Sequence, residues 1–328
     1  MNDIEKLFAC FDKSATLLSR ELEITYLEAL AEAGENVSLQ DIVQDVNDEV
    51  KAELSRLLKD IGQSTFQRED VCKAFQLAIL KGMREAAQPH HAPTPDAVGL
   101  FMSYLVQKLT KESKALTIVD PAIGSGNLVF AILNGLTDKK VRMYGFEVDE
   151  TLLKLAYVSS NLQEQEIELF HEDSIRTPVI PEADLVITDL PIGYYPHDHI
   201  AENFQLKEED GHSFSHYLMI ERAMTACVPG GFVLLLIPNG LFEGEHAQKL
   251  NKYLKAEANI FCLLQLPQSM FKTELFGKSI LLLQKKSADS IQPRQALFAQ
   301  LPSFSKREQL TDMLKQIDRW FKEELQID

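Results

Sequence analysis

The chain reads as an α/β protein: a doubly wound sheet of seven strands, the last one antiparallel, preceded by a helical N-terminal domain. Three observations predict this. From residue 96 onward, apolar runs of strand length alternate with amphipathic stretches of helix length. The last two strand segments are joined by residues 267–278, too short a connection for a parallel crossover. Residues 1–86 carry helical periodicity and little strand character.

In that N-terminal region Leu17, Leu18, Leu22, Ile24, Leu27 and Leu30 recur at near-helical spacing, as do Val46, Val50, Leu54, Leu57, Leu58 and Ile61. Gly34 and Asn36 are expected to break the first helix and Ser38 to cap the next. The acidity of residues 39–61 (Asp41, Asp45, Asp48, Glu49, Glu53) favours partner binding or self-association, including a homo-oligomer, over DNA reading. A proline-rich linker over 88–95 separates this domain, 1–86, from a second, 87–328, and the two are expected to be separable by proteolysis. Strands are predicted at 115–120, 141–146, 166–171, 183–188, 231–238, 259–266 and 279–285, and helices at 96–110, 125–135, 150–163, 213–227 and 244–257. Residues 305–325 read as one closing helix.

The composition, 45% hydrophobic and 25% charged over 328 residues, is that of a soluble globular protein. The N-terminus lacks the basic and apolar segments of a signal peptide, and no apolar run approaches the length of a membrane span. The four isolated cysteines (Cys10, Cys72, Cys227, Cys262) suit a reducing cytoplasm. A net charge of −16 argues against avid, unaided DNA binding. Residues 278–328 are locally different, with nine basic and seven acidic side chains, but a solvated mixed-charge helix explains them.

The most informative segment is Asp120-Pro121-Ala122-Ile123-Gly124-Ser125-Gly126-Asn127, between an apolar strand and an apolar helix. Strand, glycine turn and helix bring a nucleotide-like ligand onto bare backbone. The carboxylate of Asp120 suits a cationic ligand better than a pyrophosphate. Glu147 ends the next strand 21 residues after Gly126, near the spacing at which an acid meets ribose hydroxyls. Val148 can pack on an adenine face, and Asp149 reads as a helix cap. Asp173-Ser174 follows the third strand, where a plain Asp-Ser turn is the competing explanation. Thr94-Pro95 precedes a helix, with Thr94 as cap and Pro95 in the first turn. His212 and His216, four apart on a predicted helix, and His90 and His91 in the linker have metal-capable side chains, but no third ligand accompanies them and no metal is expected.

The string DPAIGSGNLV resembles motif I of class I S-adenosylmethionine-dependent methyltransferases, and most of all the amino-methylating type found in type I restriction modification subunits. Thr188-Asp189-Leu190-Pro191-Ile192-Gly193-Tyr194-Tyr195 resembles the [D/N/S]-P-P-[Y/F] corner of those enzymes. Asp189 and Pro191 match; Leu190 replaces the first proline and Ile192 the aromatic. Further similarity runs through residues 214–218, 228–242 and 264–271, so the resemblance covers roughly 88–286.

The resemblance implies a Rossmann-like seven-stranded methyltransferase sheet with S-adenosylmethionine as cofactor. Thr94, Asp120, Ala122, Gly124, Gly126, Asn127, Glu147, Val148, Asp173, Ser174 and Asp189 are then the cofactor candidates, with Asp173 against the adenine amino group. Asp189, Leu190, Pro191 and Tyr194 are the catalytic candidates: Asp189 and a backbone carbonyl accept hydrogens from the target amine, and Tyr194 or Tyr195 substitutes for the missing aromatic wall. The implied acceptor is the amino group of adenine in DNA. RNA, a protein amide, or a non-catalytic S-adenosylmethionine-binding module are the alternatives. No stretch resembles a target-recognition domain, so a nucleic-acid substrate implies a separate recognition partner.

Overall fold

The computed structural model describes residues 2–62, 66–85, 94–243, 247–271 and 273–327, without the side chains of Arg68, Glu85 and Leu275. Most of the linker, with His90 and His91, lies outside the described residues, as do 244–246 at the start of a predicted helix.

Four helices open the chain: α1 (Asp3–Glu21), α2 (Tyr26–Leu39), α3 (Asp48–Gly62) and α4 (Arg68–Glu85). They are followed by α5 (Asp96–Leu109), β1 (Ala115–Asp120), α6 (Asn127–Leu133), β2 (Lys140–Glu147), α7 (Glu150–Leu162), β3 (Ile167–His171) and β4 (Ala183–Asp189). The remainder is α8 (Asp198–Ala201), α9 (Ser215–Ala226), β5 (Cys227–Pro238), α10 (Ala247–Glu257), β6 (Ala258–Gln265), β7 (Lys278–Lys285), β8 (Leu297–Gln300) and α11 (Arg307–Leu325). The chain divides into two compact units. One is Met1–Thr94 with Ile123–Phe130 and Glu147–His171; the other is Pro95–Ala122, Ala131–Phe146 and Glu172–Asp328.

In the first unit, α1 and α2 each open with a capping box, Asn2 with Glu5 and Thr25 with Glu28, which satisfies two orphan amides apiece. The core is built from Leu7, Phe11, Leu18, Leu30, Leu54, Phe75 and Ile79, with Phe11 and Phe75 meeting edge to face at 5.0 Å. Leu152, Leu155 and Val158 of α7 belong to the same core. The N-terminal helices therefore share their apolar interior with a helix of the α/β fold, and the compact unit does not end at residue 86.

Gly34, Asn36 and Ser38 do not break or cap a helix; all three lie within α2. Gly34 is there for space: a Cβ on it would stand 2.3 Å from Val158 Cγ1 and 2.9 Å from Phe75 Cε2. The first break falls instead at Glu23, whose φ is 55°.

The sheet has eight strands in the order β3-β2-β1-β4-β5-β7-β6-β8. Neighbours from β2 to β5 run parallel, and β7 is antiparallel to both β5 and β6. The reversed strand is thus the seventh, as expected, and it lies inside the sheet. β8 is an eighth strand that the sequence reading lacked. It has four residues of alternating half-buried and exposed character and, among the described residues, pairs only with β6, so its hydrophobic pattern is too short to stand out. β5 and β7 are buried on both faces through Val233–Ile237 and Ile280–Leu283, and each such Leu or Ile contributes about 1.5–3 kcal/mol. The Pro229-Gly230-Gly231 turn is an irregularity within β5, where the register against β4 shifts between Ala183 and Leu185. Pro95, not Thr94, is the N-cap of α5, and it makes no side-chain cap bond; Thr94 is buried before it.

Candidate active site

The sheet order sets the frame. β1 lies between β2 and β4, with Asp120 opposite Gly145, so three consecutive parallel strands end in acids: Glu147, Asp120 and Asp189.

Asp120 is 1% exposed, and its Oδ1 accepts from Ala122 N at 3.0 Å, which closes the start of the turn. Gly124 and Gly126 both take positive φ, 57° and 85°, a region an L residue enters at a cost. The need at Gly126 is doubled, since a Cβ there would meet Phe130 Cε2 at 2.4 Å. Glu147 spans this turn and its own: Oε2 accepts from Gly124 N, while Oε1 accepts from Val148 N and Asp149 N, each at 2.9 Å. Asp149 caps α7 through Leu152 N, as its position predicted. Val148 is an apolar side chain left 64% exposed. Asn127 Nδ2 is buried and has no hydrogen-bond partner among the described residues. A buried donor of this kind is costly unless a ligand accepts from it.

Asp173 forms the Asp-Ser turn that stood as the competing explanation, with Oδ1 accepting from Ile175 N at 3.0 Å. Its other oxygen, Oδ2, accepts from the Tyr195 hydroxyl at 2.6 Å. Ser174 Oγ donates to the Pro121 carbonyl at 2.7 Å, and the Ser174 carbonyl accepts from Arg222 Nε. The loops after β1, β3 and β4 are therefore tied together through Pro121, Ser174, Asp173 and Tyr195. Burial, and then the Asp173 carboxylate, holds the Tyr195 phenol well above its ordinary range. Burial pulls the Arg222 guanidinium below its usual value, against the opposing pull of Asp173 and Tyr195.

At the D-L-P-I corner, Leu190 is buried and donates its amide to the Leu236 carbonyl at 3.0 Å, while Pro191 is half-buried. Ile192 is exposed. The two tyrosines divide. Tyr195 is buried on Asp173, whereas Tyr194 is 64% exposed and stacks on Phe214 with ring centroids 4.7 Å apart. Asp189 forms an ion pair with Lys278, the first residue of β7. Lys278, Phe214 and Arg222 were not among the site candidates drawn from the sequence. Lys278 had one weak signal, its place at the start of a strand that enters the sheet where β4 and β5 end. His212 is not on α9, which begins at Ser215; it pairs with Asp198 at 3.0 Å. Among the described residues no three His, Cys, Asp or Glu side chains are grouped to hold a metal, and no helix is long and apolar enough to cross a membrane.

Within the first compact unit the donor set fits S-adenosylmethionine in kind: the Glu147 carboxylate, a two-glycine turn, an uncovered Val148 and an Asn127 amide with no partner among the described residues.

Comparison with known proteins agrees. The YtxK N-terminal helical domain model matches residues 5–83 and the N-6 DNA Methylase model residues 85–326. The chain is 46% identical over 320 residues to the uncharacterized protein YtxK of Bacillus subtilis, covering 97% of each. It is 37% identical, with a TM-score of 0.91, to the crystal structure of a putative class I S-adenosylmethionine-dependent methyltransferase of Listeria monocytogenes, covering 98% of this chain and 99% of that one. A type I restriction-modification methyltransferase subunit of Streptococcus thermophilus shares the fold at 14% identity and a TM-score of 0.68, over 95% of this chain and 74% of that one. With the fold, the glycine turn and these matches together, the chain belongs to the N-6 DNA methylase family of S-adenosylmethionine-dependent methyltransferases.

Proposed function

We propose that this protein binds S-adenosylmethionine and transfers its methyl group to an amino nitrogen held at Asp189 and Leu190, adenine in nucleic acid being the leading acceptor. The observation that supports this best is the Glu147 bridge, which fixes the glycine turn to the end of β2 through Gly124. In this reading Glu147 accepts from the ribose hydroxyls, Val148 covers one adenine face, Asp173 meets the adenine amino group, and Asn127 and Thr94 serve the methionine end with Asp120. Ala122, Gly124, Gly126 and Ser174 shape the backbone around them.

When bound, the cofactor supplies an electrophilic methyl group on a sulfonium. The chain's part is to present the nucleophile. An exocyclic or amide nitrogen has a delocalised lone pair, and two acceptors on its hydrogens, Asp189 and the Leu190 carbonyl, localise that pair for in-line attack. Pro191 keeps the corner rigid. Tyr194, stacked on Phe214, offers an aromatic wall that Ile192 cannot. The charge of −16 supports a separate partner for nucleic-acid recognition.

A second reading has its own support: Asp189 is paired with Lys278 and Ile192 stands in place of the aromatic, as a binding module without transferase activity would tolerate. Incubation with methyl-labelled cofactor and separate DNA, RNA and protein fractions distinguishes them. Label in an N-methylated base supports the first reading. Calorimetric binding of the cofactor with no label in any fraction supports the second. Glu147→Ala is expected to weaken binding by about 1–3 kcal/mol, and unchanged affinity in the folded variant would remove the ribose assignment.

A further inference from the structure

Asp189 and Lys278 are both largely buried, at 19% and 22% side-chain exposure. Lys278 is bracketed by one residue. Asn239 N donates to the Gly277 carbonyl at 2.9 Å, and Ser279 Oγ donates to Asn239 Oδ1 at 2.7 Å. A Cβ at Gly277 would stand 2.4 Å from Asn239 Nδ2, so position 277 has room for a hydrogen alone. Lys278 itself pairs with Pro238 across the β5–β7 ladder. Asn239 thus holds the Gly277 backbone on one side of Lys278 and the Ser279 side chain on the other, and the ammonium is delivered to Asp189 by a braced strand end rather than by a free side chain.

We propose that Lys278 determines which amines the corner accepts: by neutralising Asp189 it turns the site away from cationic alkylamines and towards neutral nitrogens, the exocyclic amino group of a base or a carboxamide. This rests on Asp189 being the acceptor-site carboxylate. A bare, mostly buried carboxylate attracts a protonated amine strongly, and a protonated amine has no lone pair to methylate. Beside Lys278 the same amine meets a pair of zero net charge and a like charge at close range. A neutral N–H needs only an acceptor lone pair, and a carboxylate has several, enough for Lys278 and a substrate together.

The test needs no known acceptor. Sinefungin carries an amino-bearing carbon in place of the methylated sulfur, so its ammonium takes the place of the transferred methyl group; S-adenosylhomocysteine has no charge there. Calorimetry with both gives an affinity ratio. In the wild type sinefungin is expected to bind no tighter than S-adenosylhomocysteine. Lys278→Met should raise the ratio in favour of sinefungin by roughly tenfold or more. Lys278→Arg should keep the wild-type ratio, and Lys278→Met combined with Asp189→Asn should restore it. A folded Lys278→Met or Lys278→Gln with an unchanged ratio overturns the proposal. So does a wild type that already prefers sinefungin strongly, a result that requires no variant to fold. A wild type that binds neither compound overturns the cofactor reading and this inference with it, whereas binding of both with an insensitive ratio overturns the inference alone.

Discussion

Tyr195 donates its hydroxyl to Asp173 Oδ2 at 2.6 Å, and so joins the loop after β4 to the loop after β3. Asp173 is held from both sides, since its other oxygen takes the Ile175 amide. Tyr195→Phe removes a hydrogen bond to a carboxylate and leaves the ring in place. The expected loss is about 1.5–3 kcal/mol of unfolding free energy, read from urea denaturation at neutral pH. An unchanged midpoint would show that the bond is replaced by water.

The same burial gives an alkaline signature. Tyr104, Tyr195 and Tyr253 are all raised above the ordinary phenol value of about 10, each chiefly by burial and then by Asp318, Asp173 and Glu221 respectively. The folded chain holds these protons more tightly than the unfolded chain does. Their contribution is therefore fully present below about pH 10 and is lost as pH rises further. Denaturation midpoints should fall steeply above about pH 10, with part of the tyrosinate absorbance appearing only on unfolding. A single reversible titration of all eight tyrosines near the ordinary value would contradict this.

Gly34→Ala separates packing from helix propensity. Alanine normally improves a helix interior by about 0.5–1 kcal/mol. Here its Cβ would meet Val158 and Phe75, and a net loss of about 1–3 kcal/mol is expected from overpacking. A stabilised variant, measured by thermal or urea unfolding, would mean that α2 and α7 part readily. In that event a fragment lacking residues 1–86 should also stay folded, which the shared core of Leu152, Leu155 and Val158 argues against.

How much of this was legible depends on the range of the signal. β1 and its neighbours announced themselves because a strand buried on both faces is a continuous apolar run whatever its direction, as Val233–Ile237 and Ile280–Leu283 are. Asp149 was legible as a cap because capping is decided within three residues. The misreadings are non-local. Gly34 resembles a helix breaker in the sequence because its reason for being glycine, Val158, is far along the chain. Lys278 reaches Asp189 across 89 residues of sequence, and no spacing rule joins them. Tyr194 and Tyr195 were interchangeable on paper; alternation along the loop sends one to Asp173 and the other outward to Phe214. β8 failed for the opposite reason, since four edge residues carry too little pattern.

If the Asp189 corner performs methyl transfer, Asp189→Ala should separate binding from chemistry when S-adenosylhomocysteine affinity and transfer of labelled methyl groups are measured on the same preparation. Binding of S-adenosylhomocysteine, which lacks the sulfonium charge that an uncompensated Lys278 would repel, is expected to stay within a few-fold of wild type, and the transfer rate at saturating cofactor to fall by on the order of 10²-fold or more, because the Asp189 contact matters chiefly in the transition state. A folded Asp189→Ala protein that transfers methyl groups as fast as the wild type would contradict it.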